Sequence, residues 1–126
     1  MNDPVETVHR FLRLVEARDL DAASEHLADD VQIVFPGGRS FSDLYEQVGS
    51  SAGRFQQVTK VFEGSDVAHD GDDTIVYVFG TLRGAALDGT SFEGVRFIDR
   101  FVLRGGRIVD QRVWNDMAES GVLDRG

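Results

Sequence analysis

Near Gly53 the apolar pattern of this 126-residue chain changes its period. Before that point apolar side chains recur at helical spacing. After it they alternate, in runs at about 55–67, 73–83, 92–104 and 107–116. Asp70-Gly71-Asp72-Asp73, Asp88-Gly89 and Gly105-Gly106 separate these runs, and each is a turn signal suited to joining antiparallel neighbours. Four strands joined in this way must bury one face, and the helices that precede them are the available cover. The pattern predicts an α+β fold, with helices packed on one face of a mainly antiparallel sheet, in a single domain over 1–126.

Three helices are expected before the change. Asp3-Pro4 reads as an N-cap followed by proline at the first helical position, and Val5, Val8, Phe11, Leu12 and Val15 form one apolar stripe running to about Arg18. Asp19 caps a second helix over 20–28. A short strand at 31–35 closes on Pro36-Gly37-Gly38, and a third helix is expected from Ser40 to about Ser51.

Asp99 breaks the third strand run. Val95, Phe97, Phe101 and Leu103 form a period-2 apolar row in which this carboxylate takes the middle place. A carboxylate on an apolar face is hydrogen-bonded, protonated through a raised pKa, or open to a water-filled cavity. It could instead pair with Arg83 or Arg112 on a neighbouring strand. A raised pKa is the expectation here, with Gln111 or Asn115 as the nearest polar partner.

A formal net charge of −9 disfavours nucleic acid and anionic membrane surfaces as partners. With no cysteine there is no thiol nucleophile and no cysteine-based metal site. The N-terminus has no signal-peptide pattern and no window approaches 18 consecutive apolar residues, so a cytoplasmic location is expected. Asp29-Asp30 and Asp72-Asp73 sit at turns, and Gly37-Gly38 and Gly105-Gly106 are turn glycines; neither metal nor cofactor is expected.

The order of elements, with Val8-His9-Arg10-Phe11-Leu12, Glu16-Ala17-Arg18-Asp19-Leu20-Asp21, Leu27-Ala28-Asp29-Asp30-Val31 and Gly106-Arg107-Ile108-Val109, resembles the nuclear transport factor 2-like superfamily over nearly the whole chain. The branch it resembles holds ketosteroid isomerase and the SnoaL-like polyketide cyclases. That resemblance implies a cone-shaped fold whose curved sheet and helices enclose a cavity. It also implies that Asp99 stands where the isomerase has the acid that hydrogen-bonds the substrate oxyanion. Phe11 stands where the isomerase has its tyrosine, and Phe35, just before Pro36, where it has its general base, so isomerisation by that mechanism is not expected. Phe97 and Val113 occupy the positions at which the epoxide-hydrolase branch carries an Arg and a second acid. His9, His26 and His69, the candidates for dehydratase-like chemistry, fall on helices or beside a turn.

With Asp99 inward, alternation places Val109, Gln111, Val113 and Asn115 on the same face, and Val76, Val78 and Leu82 beside them, with a gap at Gly80. Phe11, Phe35, Val78, Phe97, Phe101, Gln111, Val113 and Asn115 are therefore the expected ligand-binding residues around Asp99, the expected acid or hydrogen-bond donor. Gln111 and Asn115 could equally satisfy backbone groups at the sheet edge. The other face mixes Tyr77, Phe79, Ile98, Val102 and Trp114 with Arg83, Arg96, Arg100 and Arg112, a composition typical of interfaces. A homodimer through Tyr77, Phe79 and Trp114 is expected; alternatively these arginines line the cavity and hold an anion. Two functions remain open: a cofactor-independent isomerase, cyclase or lyase acting on a small apolar carbonyl compound, or a non-catalytic domain that binds an apolar ligand or serves as a scaffold.

Overall fold

The computed structural model describes residues 3–124. Helix α1 spans Pro4–Glu16, opened by Asp3, whose carboxylate accepts from the Val5 N–H at 2.8 Å, and by Pro4 at the first position. Its buried stripe is Thr7, Val8, Phe11 and Leu12. Helix α2 spans Leu20–Ser24 and is capped by Asp19. It ends four residues earlier than its periodicity suggests. Leu27 instead starts strand β1, Leu27–Phe35, because Ile108 pairs with it and the Ile108 N–H donates to the His26 carbonyl at 2.8 Å. Tertiary pairing outweighs a weak local helix preference there.

After a short 3₁₀ turn at Pro36–Gly38, Arg39–Phe41 forms strand β2, which folds back on β1 with Phe41 opposite Ile33. The third helix therefore begins later than expected. This helix, α3, spans Leu44–Ala52, and its cap is Asp43, which accepts from the Glu46 N–H at 2.9 Å. Strands β3 (Phe55–Asp70), β4 (Asp73–Ala86), β5 (Ser91–Arg104) and β6 (Arg107–Asn115) follow as a meander. A one-turn helix, α4 (Met117–Ser120), and a 3₁₀ turn at Val122–Asp124 complete the described chain.

One six-stranded sheet results, in the order β2-β1-β6-β5-β4-β3, antiparallel except between β1 and β6. Its register sorts the two faces. Val78, Asp99 and Val113 form one inner row, with Val76, Phe101, Gln111 and Ile33 as the next. Phe11 of α1 packs edge-on against Phe101 at 5.9 Å between ring centroids, and both rings are wholly buried. Tyr77, Arg100 and Arg112 share an outer row, as do Phe79, Ile98 and Trp114.

The sheet is curved by irregularities in β3, where the pairing shifts between Phe55 and Gln57 and again between Phe62 and Gly64. Opposite these places β4 carries glycine: Phe62 faces Gly80 and Val58 faces Gly84. The gap expected at Gly80 is closed by backbone. A Cβ there would lie 1.9 Å from the Val61 carbonyl oxygen, and one at Gly84 would lie 2.0 Å from that of Gln57. Gly80→Ala should therefore cost about 3 kcal/mol, because rigid backbone rather than a flexible side chain must give way. Urea unfolding of the variant checks this, and an unchanged midpoint would show that the close approach does not support the bend.

Candidate functional site

A pocket of about 440 Å³ opens on the inner side of the sheet, between α1, α3, α4 and the inner faces of β3 to β6. Its floor and walls are largely apolar: Phe11, Leu12, Phe35, Leu44, Phe55, Val58, Leu82, Phe97, Val113 and Met117. This is the Asp99 side of the sheet, so the alternative in which the outer arginines line the cavity is overturned. On that outer face Arg112 and Arg96 already pair with Asp110 and Asp116.

The ion pair at the base of the pocket involves a residue that sequence reading passed over. Lys60 of β3 sends its ammonium across to β5, where Nζ donates to Asp99 Oδ2 at 2.6 Å and lies 5.1 Å from the Phe97 ring centroid. Between β3 and β5 runs β4, whose inner face offers Leu82, then Gly80 with no side chain, then Val78. Lys60 is also held through its backbone. Its N–H donates to Glu16 Oε2 at 2.7 Å, its carbonyl accepts from Arg13 Nη1 at 2.9 Å, and Arg13 and Glu16 pair with each other at 2.7 Å. The C-terminal turn of α1 is thus fastened to β3 at the residue that carries the ammonium.

The Asp99 side chain is wholly inaccessible to solvent, whereas that of Lys60 keeps 16% of its exposure and lines the pocket. Burial pushes the Asp99 carboxyl above the usual range, and the Lys60 charge and hydrogen bond pull it back by less. Asp99 Oδ1 has no hydrogen-bond partner among the described residues. A lone buried carboxylate would be far more costly, so the ammonium is what makes Asp99 tolerable at this depth.

Six of the expected residues line the pocket: Phe11, Phe35, Phe97, Gln111, Val113 and Asn115. Asp99, Val78 and Phe101 do not. They face inward as alternation requires, yet each is wholly buried beneath the pocket wall. Asp99 therefore meets the pocket only through Lys60. Its partner is neither Gln111 nor Asn115, and neither Arg83 nor Arg112. Asn115 Oδ1 accepts from the Met117 N–H at 3.1 Å, which ties it to the start of α4. Gln111 is buried in the wall without a side-chain hydrogen bond among the described residues. His9 stacks on Phe62 at 4.4 Å and its Nε2 meets Ser65 Oγ at 3.0 Å, outside the pocket.

The wall also carries Glu16, Arg18, Arg39, Gln47 and Arg54, none of them expected as site residues. One signal could have found Lys60: of thirteen basic residues it is the one lysine. Among the described residues no three His, Asp or Glu side chains come close enough to hold a metal ion, and no helix is long and apolar enough to cross a membrane.

Residues 8–111 match the SnoaL-like domain. The chain belongs to that family. No curated protein matches it. Among solved structures, the SnoaL-like chain is similar to TerC, crystallised with polyporic acid, at 16% identity over 98% of both chains with a TM-score of 0.77. It is also similar to a nuclear transport factor 2-like protein from Burkholderia pseudomallei, at 22% identity over 98% of both chains with a TM-score of 0.78. The candidate polyketide cyclase IdmH from Streptomyces antibioticus aligns over 93% of this chain and 94% of its own, at 20% identity and a TM-score of 0.68. At these identities the likeness establishes the SnoaL-like fold.

Breaking the pair from one side should be costly. Lys60→Met is expected to lose about 3 kcal/mol near neutral pH, the low end for a buried pair because Lys60 is partly open. That cost should shrink as pH falls, because the stranded carboxyl, without the Lys60 charge and hydrogen bond that lower its pKa, takes up a proton at a higher pH than in the wild type. In the wild type the raised Asp99 pKa works in the same direction: its stability contribution is complete below the unfolded value near ~3.9 and is lost as pH rises through the folded value. Lys60→Met/Asp99→Leu should recover most of the loss. Chemical denaturation of the three proteins across pH checks this, and a Lys60→Met penalty that is constant with pH would contradict it.

Proposed function

We propose that this SnoaL-like protein binds a small, largely apolar carbonyl compound in the pocket and acts on it without a cofactor, as an isomerase, cyclase or lyase. The observation that supports this reading is the single ammonium that lies beside Phe97 in a largely apolar wall and is held there by a buried carboxylate. In such a setting one donor aimed at a carbonyl oxygen stabilises developing enolate charge more effectively than it would in water. Lys60 is the proposed donor. Asp99 is a positioning residue that fixes Lys60 and compensates its charge.

Neither Phe11 nor Phe35 can accept a proton from carbon, so the substrate must enolise readily or carry its own base. Those same two phenylalanines favour a second reading, in which the pocket only binds. Solvent-deuterium incorporation into phenylacetone, followed by proton NMR, distinguishes the two. Under the catalytic reading the wild type accelerates exchange, and the Lys60→Met/Asp99→Leu variant loses about a hundredfold while still binding the ketone. Binding without faster exchange in the wild type would leave the second reading standing.

The proposal extends to assembly: a homodimer through the outer sheet face around Tyr77, Phe79 and Trp114. Trp114 is 50% exposed and Ile98 beside it 37%, a large apolar area to leave in water. Sedimentation should show a dimer at micromolar concentration that Trp114→Asp dissociates. A monomeric wild type would overturn it.

A further inference from the structure

The mouth of the pocket is cationic in a chain with 22 acidic residues against 13 basic ones. Four cationic side chains line the pocket, Arg18, Arg39, Arg54 and Lys60, against one carboxylate, Glu16. Glu16 is already engaged by Arg13 and by the Lys60 N–H, and Lys60 by Asp99. Arg18 donates to the Val15 carbonyl just past the end of α1, where the helix dipole welcomes a cation. Arg39 and Arg54 are different.

Among the described residues neither of these two arginines has a carboxylate within ion-pair distance. Arg39 is nonetheless held firmly. Its Nε donates to the Pro36 carbonyl at 3.2 Å, its Nη1 to Ser50 Oγ at 3.2 Å, and its guanidinium lies 5.8 Å from the Phe41 ring centroid. Two of its five N–H groups are used in this way and the others are available. Burial first, and then the neighbouring Arg54 charge, lower its hold on its proton. The end of α3 accounts for one cation at Arg54, but not for two set against each other at the edge of an apolar cavity.

We infer that the ligand carries a single carboxylate on its apolar body, and that Arg39 and Arg54 receive this group at the mouth while the body fills the space towards Phe97 and Val113. This rests on the pocket reading proposed above and narrows its substrate class to apolar carboxylic acids. A planar guanidinium fork held in advance matches a carboxylate in two parallel hydrogen bonds. With the charge fixed at the mouth, the remainder of the molecule is directed towards Lys60, so the two arginines orient the ligand as well as attract it.

Titration calorimetry at low salt with naphthoate and its neutral isostere naphthamide tests this. The wild type should bind naphthoate about tenfold more tightly, with a preference that shrinks as salt is raised. Arg39→Gln/Arg54→Gln should remove the preference by weakening naphthoate alone; unchanged naphthamide affinity then also reports an intact pocket. Equal binding of the two probes by the wild type, or a preference that survives in the double variant, would overturn the inference. Val113→Trp fills the cavity and should abolish binding of both probes. If naphthamide binds neither variant nor wild type, or still binds Val113→Trp, the pocket reading itself fails, and with it the inference.

Discussion

Lys60 and Asp99 meet at 2.6 Å although their strands are not neighbours, and much of the structure is arranged around that contact. The ammonium must span β4, and at Gly80, where a side chain would strike the Val61 carbonyl, the β3 backbone lies close against that strand. For the lysine to be in place, β3 must be held at that residue, which Glu16 and Arg13 achieve through its backbone. Helix α1 therefore does two things at once. It covers Phe101 with Phe11, and it sets the position of the pocket's central cation. Asp99 depends on the pair most, since left alone at its depth it would face several kcal/mol of desolvation, whereas Lys60 is partly open to the pocket.

The apolar walls owe their separation to the bend in the sheet. A flat meander would press α1 directly onto its inner face and leave no space. The two pairing shifts in β3 turn its N-terminal half away from the line of the other strands, and the glycines of β4 let the backbones come close at the bend. Phe55 and Val58 then pack against the edge of the core and line the pocket together with Phe35 and Val113.

The elements with strong periodicity were legible in the sequence: α1, the meander from β3 to β6, and the inward direction of Asp99. Turn residues at Gly71, Gly89 and Gly105 marked the hairpins, and alternation set the faces. The misreadings fell where distant pairing decides local structure. Leu27 and Ala28 read as helix until β6 supplies an edge for them, and Ser40 and Phe41 until β1 does. For the site, alternation could say that Asp99, Val78 and Phe101 point inward but not how deeply α1 buries them. Nor could it show that Lys60 reaches Asp99, because the irregular pairing of β3 disturbs its phase relative to β5. The lysine's singularity among the basic residues was visible from the start; its meaning required the fold.

The parallel contact between β1 and β6 has a consequence for the order in which the chain can assemble. Every other strand of the meander pairs with its immediate successor, so β3 to β6 can zip together through short loops. Strand β1 cannot follow that course, because the edge it requires is the last strand made. During synthesis the N-terminal third must wait, with β1 and β2 forming at most a hairpin of their own, until β6 has emerged. Closure of the sheet is then a single late event, and long-range closures of this kind slow folding. The same event brings Phe35 and the Arg39 turn to the rim, so the pocket and the complete sheet come into being together.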